Sequence, residues 1–380
     1  FFTLTTTYPV AAGLGGGGLC LMYDPATRTA TEFDFLTRAA ARGGAYAIPG
    51  AARGFYQMQR QFGTLPWQRD VAPGEELAAT GFPISQALAV RIAAAQNVIR
   101  LDAGLAAEFL DESGRPKPAG AIVMNRPLAQ TLSDVRLGGA DGFYKGNAAE
   151  RILAYSTAQG GGISGPELAD YAAQQQRARI ISSGGLTVAL PGPGTGAGAF
   201  AAELLETLSR LSASSASQGA SALAVRQTLA HFGVVSLPRD LGATGFAAVD
   251  SRGQAAACAV TLNGPFGSGH SATGTGVVLA ASPAGPAGLA SAFLTPMIAS
   301  NEDGVVLAGA GAGGPYGAAA IADALLKAAR GRAVERPRDL GSTGAAPYDT
   351  VNAISCQSGV CLALPDPGAH GAGAASVAQQ

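Results

Sequence analysis

The chain has 380 residues, with 25 Lys and Arg against 26 Asp and Glu and a formal net charge of −1. This balance provides no broad basic surface, which argues against a nucleic-acid-binding protein. No apolar run reaches the length of about 18 residues that a membrane span requires, and the 47% of apolar residues can instead fill a core. The sequence begins at Phe1 without a signal peptide, so we expect a mature or ordered portion of a gene product.

The first glycine-rich run, residues 13–18, reads G-L-G-G-G-G and satisfies the pattern G-x-G-x-x-G literally. A dinucleotide site requires a helix directly after such a run. Here the next residues, Leu19–Tyr23, are strand-like, and a turn at Asp24-Pro25 leads to a second strand, Thr29–Phe35. The sequence therefore predicts a hairpin at this point and argues against a nucleotide site.

Further elements are predicted from apolar periodicity and turn residues. The predicted helices are Gln86 to about Leu101 with Ser85 as N-cap, Pro127–Leu132, Gly139–Ile152, Phe200–Leu211, Ala220–Phe232 and Ala318–Ala329, with a Ser/Ala-rich loop at Ser212–Gly219. The predicted strands are Leu186–Leu190, Phe246–Val249, Ala255–Leu262, Gly274–Leu279, Met297–Ser300 and Val305–Ala308.

Residues 242–269 organise the rest of the chain, because they combine a hairpin with small and polar residues. Their two predicted strands flank a turn of Asp, Ser, Arg and Gly, which suits a hairpin. We expect this layout to bring the strand start, Ala243 and Thr244, close to the polar groups of Thr261 and Asn263. Such a strand start can form a site at which an N-terminal residue does the chemistry.

This stretch resembles the γ-glutamyltransferase family of N-terminal-nucleophile hydrolases. Members carry a pattern close to T-T-x-x-x-V-V-D-x-x-G-x-A-V-x-x-T-x-x-L-N-x-x-F-G-S-G, and Val249-Asp250, Gly253, Leu262-Asn263 and Phe266–Gly269 fall in register with it, with Thr261 directly before Leu262. Other short motifs, such as F-G-T-L-P-W and G-F-P-I-S, extend the resemblance over nearly the whole chain.

The resemblance implies an α+β fold, the four-layer αββα sandwich of N-terminal-nucleophile hydrolases. It also implies a large-subunit-like segment, residues 1–242, and a small-subunit-like segment, residues 243–380, which together form one αββα fold. In the family, the precursor cleaves itself between these two segments, and the new N-terminal threonine becomes the nucleophile. Cleavage is therefore expected between Gly242 and Ala243.

The register places the family's nucleophilic threonine at Ala243, which has no hydroxyl. Three explanations remain open. The alanine can be an engineered Thr-to-Ala change that traps an uncleaved precursor. The protein can be a natural inactive relative that serves in binding. Alternatively, Thr244 can be the nucleophile after a shift of one residue.

Other parts of the catalytic constellation are present in the sequence. Thr261 and Asn263 match the family's motif partners. Gly313 and Gly314 match a glycine pair whose backbone N–H groups form the oxyanion hole, and their place before a predicted helix suits that role. The resemblance implies amide hydrolysis or acyl transfer.

The family's residues that read a γ-glutamyl head group are not matched. Leu36 stands where an arginine binds the substrate carboxylate, and Arg38 can either substitute for it or be an ordinary surface arginine. No carboxylate occurs in residues 280–286 and no serine in residues 292–296, which leaves Ser282 and Phe293 as candidate substrate-binding residues. We therefore expect an amide other than a simple γ-glutamyl compound as substrate.

The predicted partner is a small-molecule or peptide amide, with a homo-oligomer as a possibility. No metal or organic cofactor is predicted, because the three histidines, His231, His270 and His370, are isolated in the sequence.

The four cysteines carry a prediction about the compartment. Cys356 and Cys361 are separated by only four residues and are expected to form a disulfide, which favours an exported, periplasmic protein. Cys20 and Cys258 lie in apolar strand-like runs, so we expect them to be buried free thiols.

Overall fold

The computed structural model describes residues 1–213, 219–334 and 348–375 of the chain. Its helices are α1 (Phe2–Thr7), α2 (Ala51–Phe62), α3 (Trp67–Thr80), α4 (Gln86–Ala94), α5 (Gln96–Ile99), α6 (Ala103–Phe109), α7 (Arg126–Gly138), α8 (Asp141–Tyr144), α9 (Asn147–Ala158), α10 (Gly165–Ala169), α11 (Gly196–Ala213), α12 (Ala220–His231), α13 (Leu289–Ala292) and α14 (Pro315–Ala329), with a 3₁₀ turn at Pro286–Gly288.

Its strands are β1 (Gly17–Asp24), β2 (Thr29–Asp34), β3 (Arg38–Ala39), β4 (Ala47–Ile48), β5 (Phe82–Pro83), β6 (Ile122–Val123), β7 (Gln174–Arg177), β8 (Arg179–Ser183), β9 (Leu186–Leu190), β10 (Ala243–Val249), β11 (Ala255–Thr261), β12 (Ser271–Ala272), β13 (Val277–Val278), β14 (Thr295–Asn301), β15 (Gly304–Ala312), β16 (Thr350–Gln357) and β17 (Val360–Leu364).

The chain divides into two compact units that interleave along the sequence. The first comprises Phe1–Gly18, Asp34–Gln174 and Thr261–Leu289, and the second comprises Leu19–Phe33, Gln175–Val260 and the chain from Ala290 onward. The predicted division into residues 1–242 and 243–380 marks an expected cleavage point and not two compact units. That division stays a prediction.

The first unit is mainly helical. Some of its helices start where a polar side chain satisfies a free backbone N–H group: Ser85 accepts the N–H of Leu88 at the start of α4, as the sequence predicts, and Asn125 accepts the N–H of Leu128 at the start of α7. Two apolar clusters fill its interior. Trp67 lies in one of them, and its indole N–H donates to a backbone oxygen on α7.

The second unit is built around two β-sheets. One sheet has the strand order β10-β11-β1-β2-β7, of which a few terminal residues belong to the first unit, and the other has the order β17-β16-β15-β14-β9-β8. An apolar cluster contains residues from both sheets: Leu21, Tyr23, Ala30, Ala178, Ala189, Ala255, Ala257, Ile298 and Ala308. The sheets therefore pack face to face, with small alanine side chains over much of the interface.

Helix α14 packs against β15 and β16 in the second unit. The contact depends on small residues, because a Cβ added at Gly311 would collide with the carbonyl of Gly317. A Cβ added at Gly309 would lie 2.6 Å from Ile321. Since residues alternate sides along a strand, 309 and 311 face the helix, while 308, 310 and 312 face the other sheet.

Both disulfides lie in the second unit. The predicted Cys356–Cys361 bridge is confirmed and joins a directly opposed pair on β16 and β17. The prediction of two free thiols is wrong, because Cys20 and Cys258 also form a disulfide. These cysteines lie on β1 and β11, which are neighbours in one sheet, although 238 residues separate them in the chain.

Most predicted elements are confirmed with shifted ends. The helix predicted from Gln86 is broken at Ala95, whose backbone angles are not helical, and continues as α5. The helix predicted at Gly139–Ile152 is divided into α8 and α9, because Gly146 between them has a φ of +83°. The strand predicted at Gly274–Leu279 is only Val277–Val278. Residues 214–218 of the predicted Ser/Ala-rich loop lie outside the described residues.

Candidate functional site

The predicted nucleophile position lies at the buried start of β10. Ala243 is 0% exposed and Thr244 is also buried. Gly242, directly before them, has a φ of +59°, and its N–H donates to Asp240 Oδ1 at 2.8 Å. The chain therefore enters β10 through a turn that glycine adopts readily, and residue 243 is the first residue of the strand.

The start of β10 lies over the end of β15. A Cβ added at Gly245 would lie 2.7 Å from the carbonyl oxygen of Ala310, so the two backbones are in close contact. Further along β10, Ala247 and Val249 join the apolar cluster that includes Ala308 and Val305, which lie further back along β15. This order along the two strands indicates that they run in opposite directions, so we expect residue 243, two positions before Gly245, to face the end of β15.

The predicted oxyanion-hole glycines follow β15 directly. Gly313 has a φ of +84°, and Gly314 is the N-cap of α14. Among the residues that the structure describes, neither N–H has a hydrogen-bond partner. The next N–H groups of the helix start are occupied, since the Asp349 carboxylate accepts from Tyr316 at 2.7 Å and Gly317 at 3.1 Å.

A buried polar network holds the start of β10 on β16. Asn352 Nδ2 donates to the Gly245 carbonyl at 2.8 Å, and its Oδ1 accepts from the backbone N–H of Asp366 at 3.1 Å. The Asp366 carboxylate, fully buried, accepts from backbone N–H groups of Val351, Gly368 and Ala369. This network fixes the position of β10 relative to the sheet that carries Gly313.

Thr261 and Asn263 are buried in the first unit, where they contact each other. Thr261 Oγ1 accepts the Asn263 N–H at 2.8 Å, and Asn263 Nδ2 donates to Thr37 Oγ1 at 2.9 Å and to the Ala281 carbonyl at 2.8 Å. Asn263 has a φ of +61°, which its side-chain hydrogen bonds help to hold. Thr261 and Asn263 belong to the first unit and Ala243 to the second, and their predicted proximity stays a prediction.

Arg38 has partners within the first unit. Its guanidinium lies 4.6 Å from the centre of the Tyr171 ring and donates to the Ala172 carbonyl at 2.8 Å. The Tyr171 hydroxyl donates to the Leu36 carbonyl at 2.7 Å, and burial raises its pKa. Burial also raises the pKa of Asp34, against the lowering effects of the Leu36 N–H and Arg38. The exposed Arg38 therefore covers the buried Tyr171 ring.

The two other predicted substrate-binding residues differ in environment. Ser282 is half-buried in the first unit, and its N–H donates to the Ala45 carbonyl. Phe293, in the second unit, is 1% exposed and packs edge-on against Phe200 at 4.9 Å, so its ring is part of the core. A cleft of about 680 Å³ in the first unit is lined by none of the predicted site residues.

Within the described part of the chain, no group of three or more His, Cys, Asp or Glu side chains is arranged to hold a metal ion. Among the described helices, none combines the length and apolarity needed to cross a membrane. The absence of a cofactor stays a prediction.

Sequence reasoning missed Asn352 and Asp366, together with Thr350 and Asp349 at the start of β16. The available signal was the alternation of polar Thr350 and Asn352 at the start of β16, since alternate residues share one face. The partner of Asn352 is Gly245 on β10, about a hundred residues earlier in the chain, which no local pattern reveals.

Comparison with known proteins identifies the relatives. The family model for gamma-glutamyltranspeptidase matches residues 1–232. A glutathione hydrolase proenzyme of Bacillus subtilis is 27% identical over 229 residues, which cover 54% of this chain and 39% of the relative. The chain thus matches about two fifths of the length of that relative. The family match ends before Ala243, so the register of the nucleophile motif stays a prediction.

Solved structures extend the likeness to the second half of the chain. Cephalosporin acylase from Bacillus halodurans has a TM-score of 0.73 at 15% identity, over 97% of this chain and 88% of the acylase. Gamma-glutamyltranspeptidase from Helicobacter pylori has a TM-score of 0.56 at 25% identity, over 61% of this chain and 74% of the other. The predicted α+β fold, an αββα N-terminal-nucleophile hydrolase sandwich, is confirmed, and the chain belongs to the gamma-glutamyltranspeptidase family.

Proposed function

We propose that the protein is an N-terminal-nucleophile amide hydrolase or acyltransferase in an uncleaved form that lacks its nucleophile. Support for the proposal comes from the start of β10: Ala243 is buried, Gly245 two residues later lies against Ala310 of β15, and Gly313 and Gly314, directly after β15, have N–H groups without partners among the described residues. That arrangement suits an oxyanion hole beside a strand-start nucleophile.

The chemistry follows from a threonine at position 243. Its Oγ attacks the carbonyl carbon of Gly242, the peptide bond becomes an ester, and water hydrolyses the ester to release a new N-terminus. The free α-amine then accepts the Oγ proton when Oγ attacks the amide carbonyl of a substrate. Two N–H donors on the oxyanion are worth about 3–4 kcal/mol each in other hydrolases. Water or an amine completes hydrolysis or transfer.

Alanine at position 243 prevents the first step, since no hydroxyl is available for attack. Relatives named as proenzymes support the idea that the chain is a precursor form. A Thr-to-Ala change is compatible with the retained glycine pair at positions 313 and 314. Thr244 as the nucleophile is the alternative within the same class of enzyme.

The substrate is an amide other than a simple γ-glutamyl compound. Support comes from the first unit, where Leu36 replaces the family's arginine and Arg38 is bound to Tyr171 and Ala172. Residues 280–286 supply no carboxylate for a substrate amine. The relatives include proteins titled both glutathione hydrolase and cephalosporin acylase, so more than one acyl group is compatible with the resemblance.

Export to an oxidising compartment such as the periplasm is part of the proposal. All four cysteines are paired in disulfides, and such bonds persist in exported proteins rather than in a reducing cytosol.

The test is the Ala243→Thr variant, with Ala243→Val as a control of nearly equal size. The threonine variant is expected to split into two fragments during purification, because it alone supplies a hydroxyl, whereas the valine variant stays whole. A threonine variant that folds and never splits contradicts the proposal and favours a binding protein without catalytic activity.

A further inference from the structure

A buried hydroxyl without a hydrogen-bond partner lies at the start of β16. Thr350 is 4% exposed, and its Oγ1 has no hydrogen-bond partner among the described residues. Burying such a hydroxyl is unfavourable. Its meaning depends on what the hydroxyl faces.

The strand register fixes the direction of the Thr350 side chain. Thr350 is paired with Ala312 on β15, directly before Gly313. Asn352, two residues later on the same face of β16, reaches across to the Gly245 carbonyl on β10. Because alternate residues of a strand share a face, the Thr350 side chain also faces β10.

Residue 243 projects toward the same place from the opposite sheet. Gly245 lies against Ala310, which is the partner of Asn352 in the register. Ala243 lies two residues before Gly245 on β10. Because β10 and β15 run in opposite directions, the corresponding residues are Ala312, two after Ala310 on β15, and its partner Thr350 on β16. The methyl group of Ala243 cannot hydrogen-bond, whereas a threonine there would present its Oγ to this face.

We propose that Thr350 is a further catalytic residue of this centre, whose hydroxyl hydrogen-bonds the Oγ of a threonine at position 243. The inference rests on the proposed function and adds a residue to it. A hydroxyl both donates and accepts. It accepts from the Oγ–H in the resting state and donates to Oγ when the proton has passed to the base. No covalent bond of Thr350 changes.

The chain offers a matched control for the loss of a buried threonine hydroxyl. Thr228, on α12 in the same unit, is 0% exposed and also has an Oγ1 without a partner among the described residues. Thr228→Val and Thr350→Val therefore remove the same atom from two buried positions, and only the second removes it on the face proposed to lie opposite residue 243.

The first arm applies when the Ala243→Thr protein splits. In that background Thr350→Val is expected to slow cleavage about tenfold, the order expected for one lost hydrogen bond. Thr350→Ser restores the rate to within about threefold, because it retains the hydroxyl, and Thr228→Val leaves the rate unchanged. Equal rates for Thr350→Val and its parent, or equal slowing by Thr228→Val, would overturn the assignment.

The second arm applies when the Ala243→Thr protein stays whole. That result contradicts the proposed function but not the hydrogen bond between Thr350 and a threonine at position 243. Ala243→Thr and Ala243→Val are then compared by urea unfolding, each with Thr350 and with Thr350→Val. The threonine variant is expected to unfold at higher urea only where Thr350 is present, because only that pair forms the hydrogen bond. The same difference in both backgrounds would overturn the inference.

Discussion

The start of β10 in the second unit and the segment around Arg38 in the first unit differ in whether their polar groups have hydrogen-bond partners. At β10, glycine and alanine backbones lie in close contact, while the N–H groups of Gly313 and Gly314 and the hydroxyl of Thr350 have no partners among the described residues. Around Arg38, the guanidinium and the Tyr171 hydroxyl are bound to backbone carbonyls. A group without a hydrogen-bond partner can bind a reacting atom, whereas a hydrogen-bonded group stabilises the fold.

We infer that the two regions differ in how much a single substitution disturbs them. At the start of β10, a Cβ added at Gly245 would lie 2.7 Å from the Ala310 oxygen. Around Arg38, the contacts come from one exposed side chain that lies on Tyr171 and donates to Ala172. A substitution is therefore expected to lower stability more at β10 than at Arg38.

The largest expected effect concerns the Cys20–Cys258 disulfide, which ties β1 to β11 in the sheet that contains β10. Replacing both cysteines with alanine is expected to lower the free energy of unfolding by about 2–5 kcal/mol, because the bridge closes a long loop. The matched control replaces Cys356 and Cys361, whose bridge spans 5 residues and should contribute less. Denaturant unfolding measures both, and an equal loss would contradict the dependence on loop length.

The second prediction concerns the contact between β10 and β15. Gly245→Ala introduces a Cβ at 2.7 Å from the Ala310 oxygen and 2.9 Å from its Cβ. We expect a loss of about 1–3 kcal/mol in the free energy of unfolding, typical of overpacking. Gly194→Ala is the control, because a Cβ there meets no atom within 4 Å. Similar stability of the two variants would mean that the strands separate freely.

The third prediction concerns recognition. In the Ala243→Thr background, Arg38→Ala is expected to change the KM for a γ-glutamyl anilide less than about twofold, as for a surface arginine. Turnover of that anilide is expected to be poor in both proteins, because the resemblance places Leu36 where the family has its carboxylate-binding arginine. Efficient turnover that Arg38→Ala abolishes would show that Arg38 substitutes for it and would remove the contrast between the two regions.

The smallest effect concerns the pH dependence of stability. Burial raises the pKa of Asp34 in the folded protein. Its protonated form is therefore favoured by folding, so stability falls as pH rises from the unfolded value, about 4, through the raised value. Asp34→Asn retains the oxygen that accepts from Leu36 and is expected to flatten this slope. Unfolding midpoints across that range measure it, and an unchanged slope would exclude Asp34 as its source.

Local sequence patterns predicted most elements of both units. The apolar run at Leu186–Leu190 was predicted with its observed ends, and Ser85 was correctly predicted to cap α4. The Cys356–Cys361 bridge was also accessible, because its residues are close in the chain.

What the sequence could not provide was the register between distant strands. The pairing of Cys20 with Cys258 requires β1 and β11 to be neighbours, and each cysteine alone resembles a core residue. The contact of Asn352 with Gly245 depends on how one sheet is placed on the other. Such contacts arise from packing over the whole unit, and no local propensity encodes them.

The most direct test of the account is N-terminal sequencing of the smaller fragment of the Ala243→Thr protein. A nucleophile at position 243 predicts that this fragment begins Thr-Thr-Gly-Phe, as cleavage follows Gly242. A fragment that begins Thr-Gly-Phe would move the nucleophile to Thr244 and contradict the register. A folded Ala243→Thr protein that remains a single chain would contradict the hydrolase assignment itself.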